Sequence, residues 1–370
     1  MPKLDRPGAL NRPLQLSPVF LEKVWGRRDL APLYPDYWTT IRGKTVSIKR
    51  PQRKGKTPIG EVWLTGDSAA FTNGPLSGAT LGEACRQYGR ELCGDGATDG
   101  RFPILSKFLF TSDWLSVQVH PDDDYARKHE NGSRGKTEMW HIIQAESSGE
   151  MMLALNPGVD SGSLNAAMKA GSCVDLVQHF KPEADEAVFV PAGTVHALGP
   201  GLILFEAEQN SDVTYRLDDF GRKGLDGKPR PLHLEKALAV TKPRLGALRD
   251  LPRHEFQETY GQRRLVMACP FFAVEDLTLR KAANFAGNPA RVETFVTLSG
   301  EGRVETAEGW YAYRTGDVWL IPPATPAYRL APEIKSSLLK FYVPQIEEDF
   351  VKPLAQAGVK SSDIQKIVFP

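Results

Sequence analysis

The residues best suited to chemistry fall in three separate stretches of the chain. Leu115-Ser-Val-Gln-Val-His120 alternates like a half-buried strand, so Ser116, Gln118 and His120 share one face while Leu115, Val117 and Val119 share the other. Glu138 opens a second strand-like run over residues 137–144, and Val188-Phe-Val-Pro-Ala-Gly-Thr-Val-His196 delivers another histidine at the end of an apolar run. An amide and an imidazole two residues apart on one face serve packing poorly but suit a divalent cation. Imidazole and carboxylate are ligands for Zn2+ and its borderline neighbours, and two imidazoles with one carboxylate neutralise only part of the charge. Such an ion keeps its Lewis acidity and has room for water or substrate. Taken singly, each residue has the ordinary explanation of a polar side chain making hydrogen bonds. Together they predict one metal held by Gln118, His120, Glu138 and His196.

Three cations accompany this set. Lys107 interrupts the apolar run at residues 102–110, where an unpaired ammonium would be costly, so it either pairs with a carboxylate or faces a wet cavity that accepts an anion. Lys136 lies two residues before Glu138 and shares its face if the strand starts early. Asp212, Thr214 and Arg216 share one face of residues 212–217; Arg216 either bridges to Asp212 or Glu206, or clamps a phosphate or enediolate oxyanion with its guanidinium fork. Asp122, Asp123 and Asp124 read as a solvated helix N-terminus rather than a second cation site. His129, His141, His179, His233 and His254 lack comparable context and are expected at the surface or behind the site, with His141 on the face opposite Glu138. No GxxxxGK[ST], GxGxxG or GxSxG run occurs, so nucleotide binding and that form of serine nucleophile are unsupported.

The elements that must position these residues are mostly strands. The 370 residues are too many for one ordinary core, and a composition of 41% hydrophobic and 25% charged residues is that of a soluble globular protein. A formal net charge of +1 gives no electrostatic case for nucleic acid or an anionic membrane. The first residues lack the apolar core of a signal peptide and no run approaches a membrane span, so cytoplasm is the expectation. Four scattered cysteines without a CxxC indicate neither a disulfide framework nor a thiolate zinc site. The 28 prolines and 33 glycines suit many short strands joined by turns. Strands are expected near residues 21–26, 59–64, 102–110, 151–155, 202–208, 271–277 and 293–298. Helices are expected over 80–92, where Thr80 and Glu83 have capping-box spacing, over 163–169, and over 172–180 with Ser172 and Asp175 as a second capping box.

Residues 316–328 echo residues 186–196: a strand, a proline-centred turn, a small residue and a threonine, with Pro326 and Ala327 where the first copy has His196. The echo predicts two related β-barrels with metal in the first alone. The expected organisation is a metal-binding domain over residues 1–240, a connection over 241–262 and a second barrel over 263–370.

The runs Phe102-Pro-Ile-Leu-Ser-Lys107, Leu115-Ser-Val-Gln-Val-His-Pro-Asp-Asp123, Gly135-Lys-Thr-Glu-Met-Trp140, Phe189-Val-Pro-Ala-Gly-Thr-Val-His-Ala197 and Asn210-Ser-Asp-Val-Thr-Tyr-Arg216 resemble type I mannose-6-phosphate isomerase in its shorter bacterial form. The resemblance spans about residues 15–345 and is densest over 100–222. It implies a mainly β fold of two cupin-type jelly-roll barrels with short helical additions. It also implies metal-assisted interconversion of mannose 6-phosphate and fructose 6-phosphate with one Zn2+ per chain on Gln118, His120, Glu138 and His196. By position, Arg216 matches the family's catalytic arginine, Lys136 a proton-transfer lysine, Glu206 and Asp212 acidic pocket residues, and Lys107 and Ser116 residues near the substrate phosphate. The implied partner is a small sugar phosphate, with no nucleic acid or membrane; another metal-dependent cupin enzyme and a non-catalytic sugar-phosphate sensor are the alternatives.

Overall fold

The strand Ile104–Phe110 is buried along its whole length, and both of its faces are used. Ile104, Phe108 and Phe110 point one way into the largest apolar cluster, while Leu109 points the other way into a second. That is why the run reads as continuously apolar instead of alternating. In this computed structural model, which describes residues 10–34, 38–41, 44–47, 58–96 and 99–369, the strand belongs to the second of four stacked antiparallel sheets.

The first sheet holds Val177–Phe180, Met151–Leu155, His196–Leu198, Val117–Val119 and Tyr215–Asp218 in that order. The second holds Ala187–Val190, Glu138–Ala145, Leu202–Gln209, Ile104–Phe110, Ile59–Trp63 and Val19–Arg27. Trp25, Leu109, Trp140, Met151, Leu153 and Leu198 fill the space between them. On its far side the second sheet packs Phe108, Phe205 and Met139 against Val274, Leu339 and Phe341 of an eight-stranded sheet. The rings of Phe108 and Phe205 lie 6.1 Å apart and those of Phe205 and Phe341 5.4 Å apart. The eight-stranded sheet in turn covers a four-stranded one through Phe295, Trp319, Tyr313 and Leu330. Strands Trp38–Ile41 and Lys44–Ser47 form a separate hairpin. Among the described residues no sheet closes into a barrel, and no helix is long and apolar enough to cross a membrane.

The chain does not fill these layers strictly in order. Leu14–Ser17 pairs with Val318–Ile321 and with Ala70–Phe71, so two early strands extend the eight-stranded sheet. His254–Glu258, inside the stretch expected as a connection, pairs with Gly261–Cys269 in the same sheet.

The helices follow their capping residues. Thr80 Oγ1 accepts from Glu83 N at 3.3 Å and Glu83 Oε2 accepts from Thr80 N at 2.9 Å, opening Leu81–Tyr88 as the capping box predicts. Gly89 then interrupts the helix expected to continue to residue 92, and a separate turn, Arg90–Cys93, follows. The expected helix over 172–180 is absent. Ser172 makes no side-chain cap, Cys173–Leu176 forms a single 3-10 turn, and Val177–Phe180 is an edge strand on Met151–Leu155. Backbone pairing with that neighbour overrides the weak local helical pattern.

The sequence echo is also an echo of structure. Thr194 N donates to Pro191 O at 3.1 Å and Thr325 N to Pro322 O at 3.0 Å, each turn carrying the chain from one sheet to the sheet facing it. The strands before the turns place Val190 beside Glu138 and Ile321 beside Glu293. Glu293 is engaged by its own surroundings: Lys340 Nζ at 2.9 Å and the Tyr328 hydroxyl at 2.9 Å.

Because Phe205 is fully buried between two sheets, Phe205→Ala is expected to cost about 3–5 kcal/mol in denaturant unfolding. Exposed Phe220 should tolerate the same change within about 0.5 kcal/mol. Equal losses at both positions would contradict the stacked-sheet core.

Candidate metal centre

Three strands and one turn deliver the predicted ligands. Val117–Val119 lies between His196–Leu198 and Tyr215–Asp218, with Gln118 opposite His196 on one side and opposite Arg216 on the other. Glu138 comes from the facing sheet, at the start of its strand. The turn at residues 191–194 crosses between the sheets, and Gly193 N donates to His120 O at 2.9 Å. Gly193 has φ +96°, and a Cβ there would meet Lys242 carbons at 2.8 Å, so glycine is required at this position.

The side chains converge on one point. His120 Nε2 is 3.2 Å from Glu138 Oε1, His196 Nε2 is 3.5 Å from Glu138 Oε2, and the two imidazole centroids are 4.9 Å apart. His120 Nδ1 lies 2.8 Å from Val213 O and His196 Nδ1 2.9 Å from Thr194 O. Each Nδ1–H donates to its carbonyl, which leaves both Nε2 lone pairs aimed at the carboxylate. Gln118 presents its amide nitrogen 3.2 Å from His196 Nε2, while Ser116 Oγ donates to Gln118 Oε1 at 3.2 Å. Gln118 therefore reaches an ion through oxygen only after its amide turns over.

The protonation states suit a cation. Burial, helped by the Lys136 charge, pushes His120 down to about 3, and burial lowers His196 as well. Burial opposes ionisation of Glu138, but the adjacent Lys136 ammonium outweighs it and holds the carboxyl well below the usual range. Two neutral imidazoles thus face an ionised carboxylate, all acceptors and all buried. His120 Nε2 and both Glu138 oxygens make no hydrogen bond; Lys136 Nζ, 2.9 Å from Oε1, is an ion contact without hydrogen-bond alignment. Such a cluster is costly without a cation among it, and the donor set fits zinc.

Behind these candidate ligands lies a buried charge network. Lys107 Nζ sits 3.3 Å from Glu206 and 2.7 Å from Glu208, and Lys136 Nζ 3.1 Å from Glu208. Trp140 Nε1 donates to Glu206 Oε1 at 3.0 Å. Both readings open for Lys107 are met in part, since it pairs with carboxylates and also lines the cleft. Three carboxyl groups (Glu138, Glu206, Glu208) face two ammonium groups, so charge balances when one of the three keeps its proton. Burial accordingly drives Glu208 well above the carboxylate range against the pull of Lys107 and Lys136. Sequence reasoning passed over Glu208, although its spacing from Glu206 within an apolar strand was the same signal that singled out Gln118 and His120.

A cleft opens onto this network. Lys107, Ser116, Lys136, Glu206, Asp212 and Arg216 all line it, with Asp212 exposed and Arg216 partly buried. Lys23, Glu61 and Arg230 line it too and carried no sequence signal; Lys23 Nζ holds Glu61 at 2.8 Å. Arg216 makes no ion pair with Asp212 or Glu206 among the described residues, and its Nε is buried without a partner. His233 Nδ1 accepts from Arg216 N at 3.2 Å, which places His233 directly behind the site. His141 is on the face opposite Glu138, as predicted, but is buried between the second and third sheets, 3.8 Å from Asp185.

Residues 14–159 match the family model for the phosphomannose isomerase type I catalytic domain. Mannose-6-phosphate isomerase ManA of Bacillus subtilis (strain 168) is 35% identical over 321 residues, covering 86% of this chain and 95% of its own. The chain belongs to the mannose-6-phosphate isomerase family. A crystal structure of the mannose 6-phosphate isomerase from Bacillus subtilis superposes with a TM-score of 0.77 at 26% identity, covering 89% of this chain and 99% of that one. A mannose 6-phosphate isomerase bound with zinc and yttrium shares the fold, with a TM-score of 0.65 at 16% identity over 90% of this chain and 99% of that one. The segment matched by the isomerase family model contains Gln118, His120 and Glu138 and ends before His196, Glu206 and Arg216.

One equivalent of Zn2+ is expected to stabilise the metal-free chain, by about 2.7 kcal/mol at a free concentration a hundredfold above Kd. Glu138→Gln should remove most of that gain while folding normally, read by calorimetry with and without zinc. An equal gain in the variant would rule out Glu138 as a ligand.

Proposed function

We propose that this chain interconverts mannose 6-phosphate and fructose 6-phosphate by moving one proton between C1 and C2, with Zn2+ on Gln118, His120, Glu138 and His196. The observation that carries the reading is the buried, acceptor-only cluster of His120 Nε2, His196 Nε2 and Glu138 at the end of a cation-lined cleft, in a member of this isomerase family. Zinc in the more distant isomerase structure supports the choice of ion. When bound, the metal supplies Lewis acidity that lowers the cost of the enediolate.

The remaining work falls to the chain. Arg216 offers an unengaged guanidinium to the developing oxyanion. Glu138 foremost holds Lys136 as an ammonium: burial opposes its charge, but that carboxylate raises it well above the ordinary lysine value. Lys136 is thus a fixed positive charge at the cleft that stabilises a sugar oxyanion, and Glu206 or, at the rim, Asp212 is the acceptor for the carbon-bound proton. Trp140 and Lys107 fix the Glu206 carboxylate for that role. We read the stacked sheets as two cupin-like halves, residues 1–240 and 263–370 joined through 241–262, with Leu14–Ser17 and Ala70–Phe71 crossing into the second. A small, charged, metabolic substrate suits a cytoplasmic enzyme.

The test is turnover of mannose 6-phosphate to fructose 6-phosphate, which should vanish with chelator and return with Zn2+. Arg216→Ala should lower kcat about 10²–10³-fold with metal content unchanged. A zinc-loaded wild-type chain that leaves mannose 6-phosphate untouched would overturn the proposal, and near-normal turnover in Arg216→Ala would remove that residue from it.

A further inference from the structure

We infer that Arg230 holds the phosphate of the substrate at the arginine-lined part of the cleft, leaving Arg216 to the sugar oxygens. This rests on the isomerase reading and deepens it. Five cations line the cleft: Lys23, Lys107, Lys136, Arg216 and Arg230. The three lysines are already engaged, Lys23 with Glu61 at 2.8 Å, Lys107 with Glu208 at 2.7 Å and Glu206 at 3.3 Å, and Lys136 with Glu138 at 2.9 Å and Glu208 at 3.1 Å. A phosphate dianion brought to Lys107, the position that the family resemblance points to, would be forced against Glu206 and Glu208. Those acidic groups already occupy the Lys107 ammonium.

The balance is reversed around Asp219. Arg222 Nε and Nη2 contact Asp219 Oδ1 at 3.0 and 2.9 Å, and Arg230 Nε donates to Oδ2 at 2.7 Å with Nη2 on Oδ1. One buried carboxylate therefore serves two guanidinium groups. Arg216 is close enough to feel their charge but takes no share of Asp219. Burial foremost, and then Arg230, hold its guanidinium below the usual arginine value, with Asp219 and Asp212 only partly compensating. Arg216 Nε is buried without an acceptor, and Arg230 Nη1 has none among the described residues. A phosphate on the free edge of Arg230 would supply the acceptor that Nη1 lacks and neutralise the charge that now repels Arg216, with oxygen spacing matched to the guanidinium fork.

The supporting parts are in place. Arg222 does not line the cleft; its guanidinium runs to Asp219 and the Trp114 carbonyl and lies 3.7 Å from Asp113, so it braces the loop, while Arg230 holds both Asp219 oxygens by itself. Binding energy gained at the phosphate would then align the distant reacting carbons at the metal.

The experiment compares zinc-loaded wild type, Arg230→Gln, Arg230→Lys and Arg222→Gln. It measures inorganic phosphate by isothermal titration and mannose 6-phosphate by steady-state kinetics. Arg230→Gln is expected to weaken phosphate binding and raise KM about 10–100-fold, the worth of a charge-assisted hydrogen bond or two, with metal content unchanged. Arg230→Lys should recover part of the loss, and Arg222→Gln should stay within about threefold of wild type, since its guanidinium reaches Asp219 but not the cleft. Wild-type affinity for phosphate in Arg230→Gln would overturn the inference, as would an equal loss in Arg222→Gln, which would make the effect one of loop structure. Because the titration needs no turnover, phosphate binding that depends on Arg230 in a chain inactive on mannose 6-phosphate would sink the isomerase reading and leave this site standing.

Discussion

Two imidazole lone pairs and a carboxylate aimed at one buried point form an arrangement that repels itself until a cation enters. His120 and His196 are fixed in this attitude by their Nδ1 contacts to backbone carbonyls, so neither ring can turn away to relieve it. Glu138 cannot withdraw either, because it begins a strand paired on both sides and its carboxylate is in contact with Lys136. Glu206 and Glu208 bring two more acidic groups onto the same two lysines one layer deeper, and burial keeps the proton on Glu208. The ammonium groups balance that layer but leave the His120 lone pair without a partner, which a divalent ion would supply. The electrostatics of the whole cleft follow from this shortage: carboxylate-rich at the ligands, guanidinium-rich around Asp219.

A site of this kind needs a frame stiff enough to keep like-natured groups together. The second sheet provides it by being buried on both faces. One face presents Lys107, Glu206, Glu208 and Glu138 toward the cleft. The other locks Phe108, Phe205 and Met139 into the eight-stranded sheet. Period-two alternation makes each of these strands carry both jobs at once, so a one-residue slip would exchange phenylalanines for charges in the core. The cost of that exchange protects the register on which the ligand geometry depends.

Much of the centre was legible because its signals are local. The same-face spacing of Gln118 and His120, the apolar run ending at His196 and the position of Lys136 before Glu138 need only a period of two to interpret. Lys107 was legible as a problem but not as a solution, since its partners Glu206 and Glu208 lie about a hundred residues away on a neighbouring strand. The Lys23–Glu61 pair and the gathering of arginines around Asp219 left no trace, being products of strand order and loop path. Fold errors have the same origin. Val177–Phe180 became a strand because an edge was available to it. Leu14–Ser17 joined a sheet built mainly from residues beyond 250, a pairing that no local pattern encodes.

The two proline-centred turns show the same architectural joint put to opposite uses. At the later one, Lys340 and Tyr328 satisfy Glu293 from within, so that half of the molecule arrives electrically complete from the ribosome. The earlier joint leaves the His120 lone pair unanswered by any side chain, an opening shaped for a cation. With zinc as the occupant proposed above, scarcity of that ion would lower turnover before it unfolded the stacked sheets that hold the site.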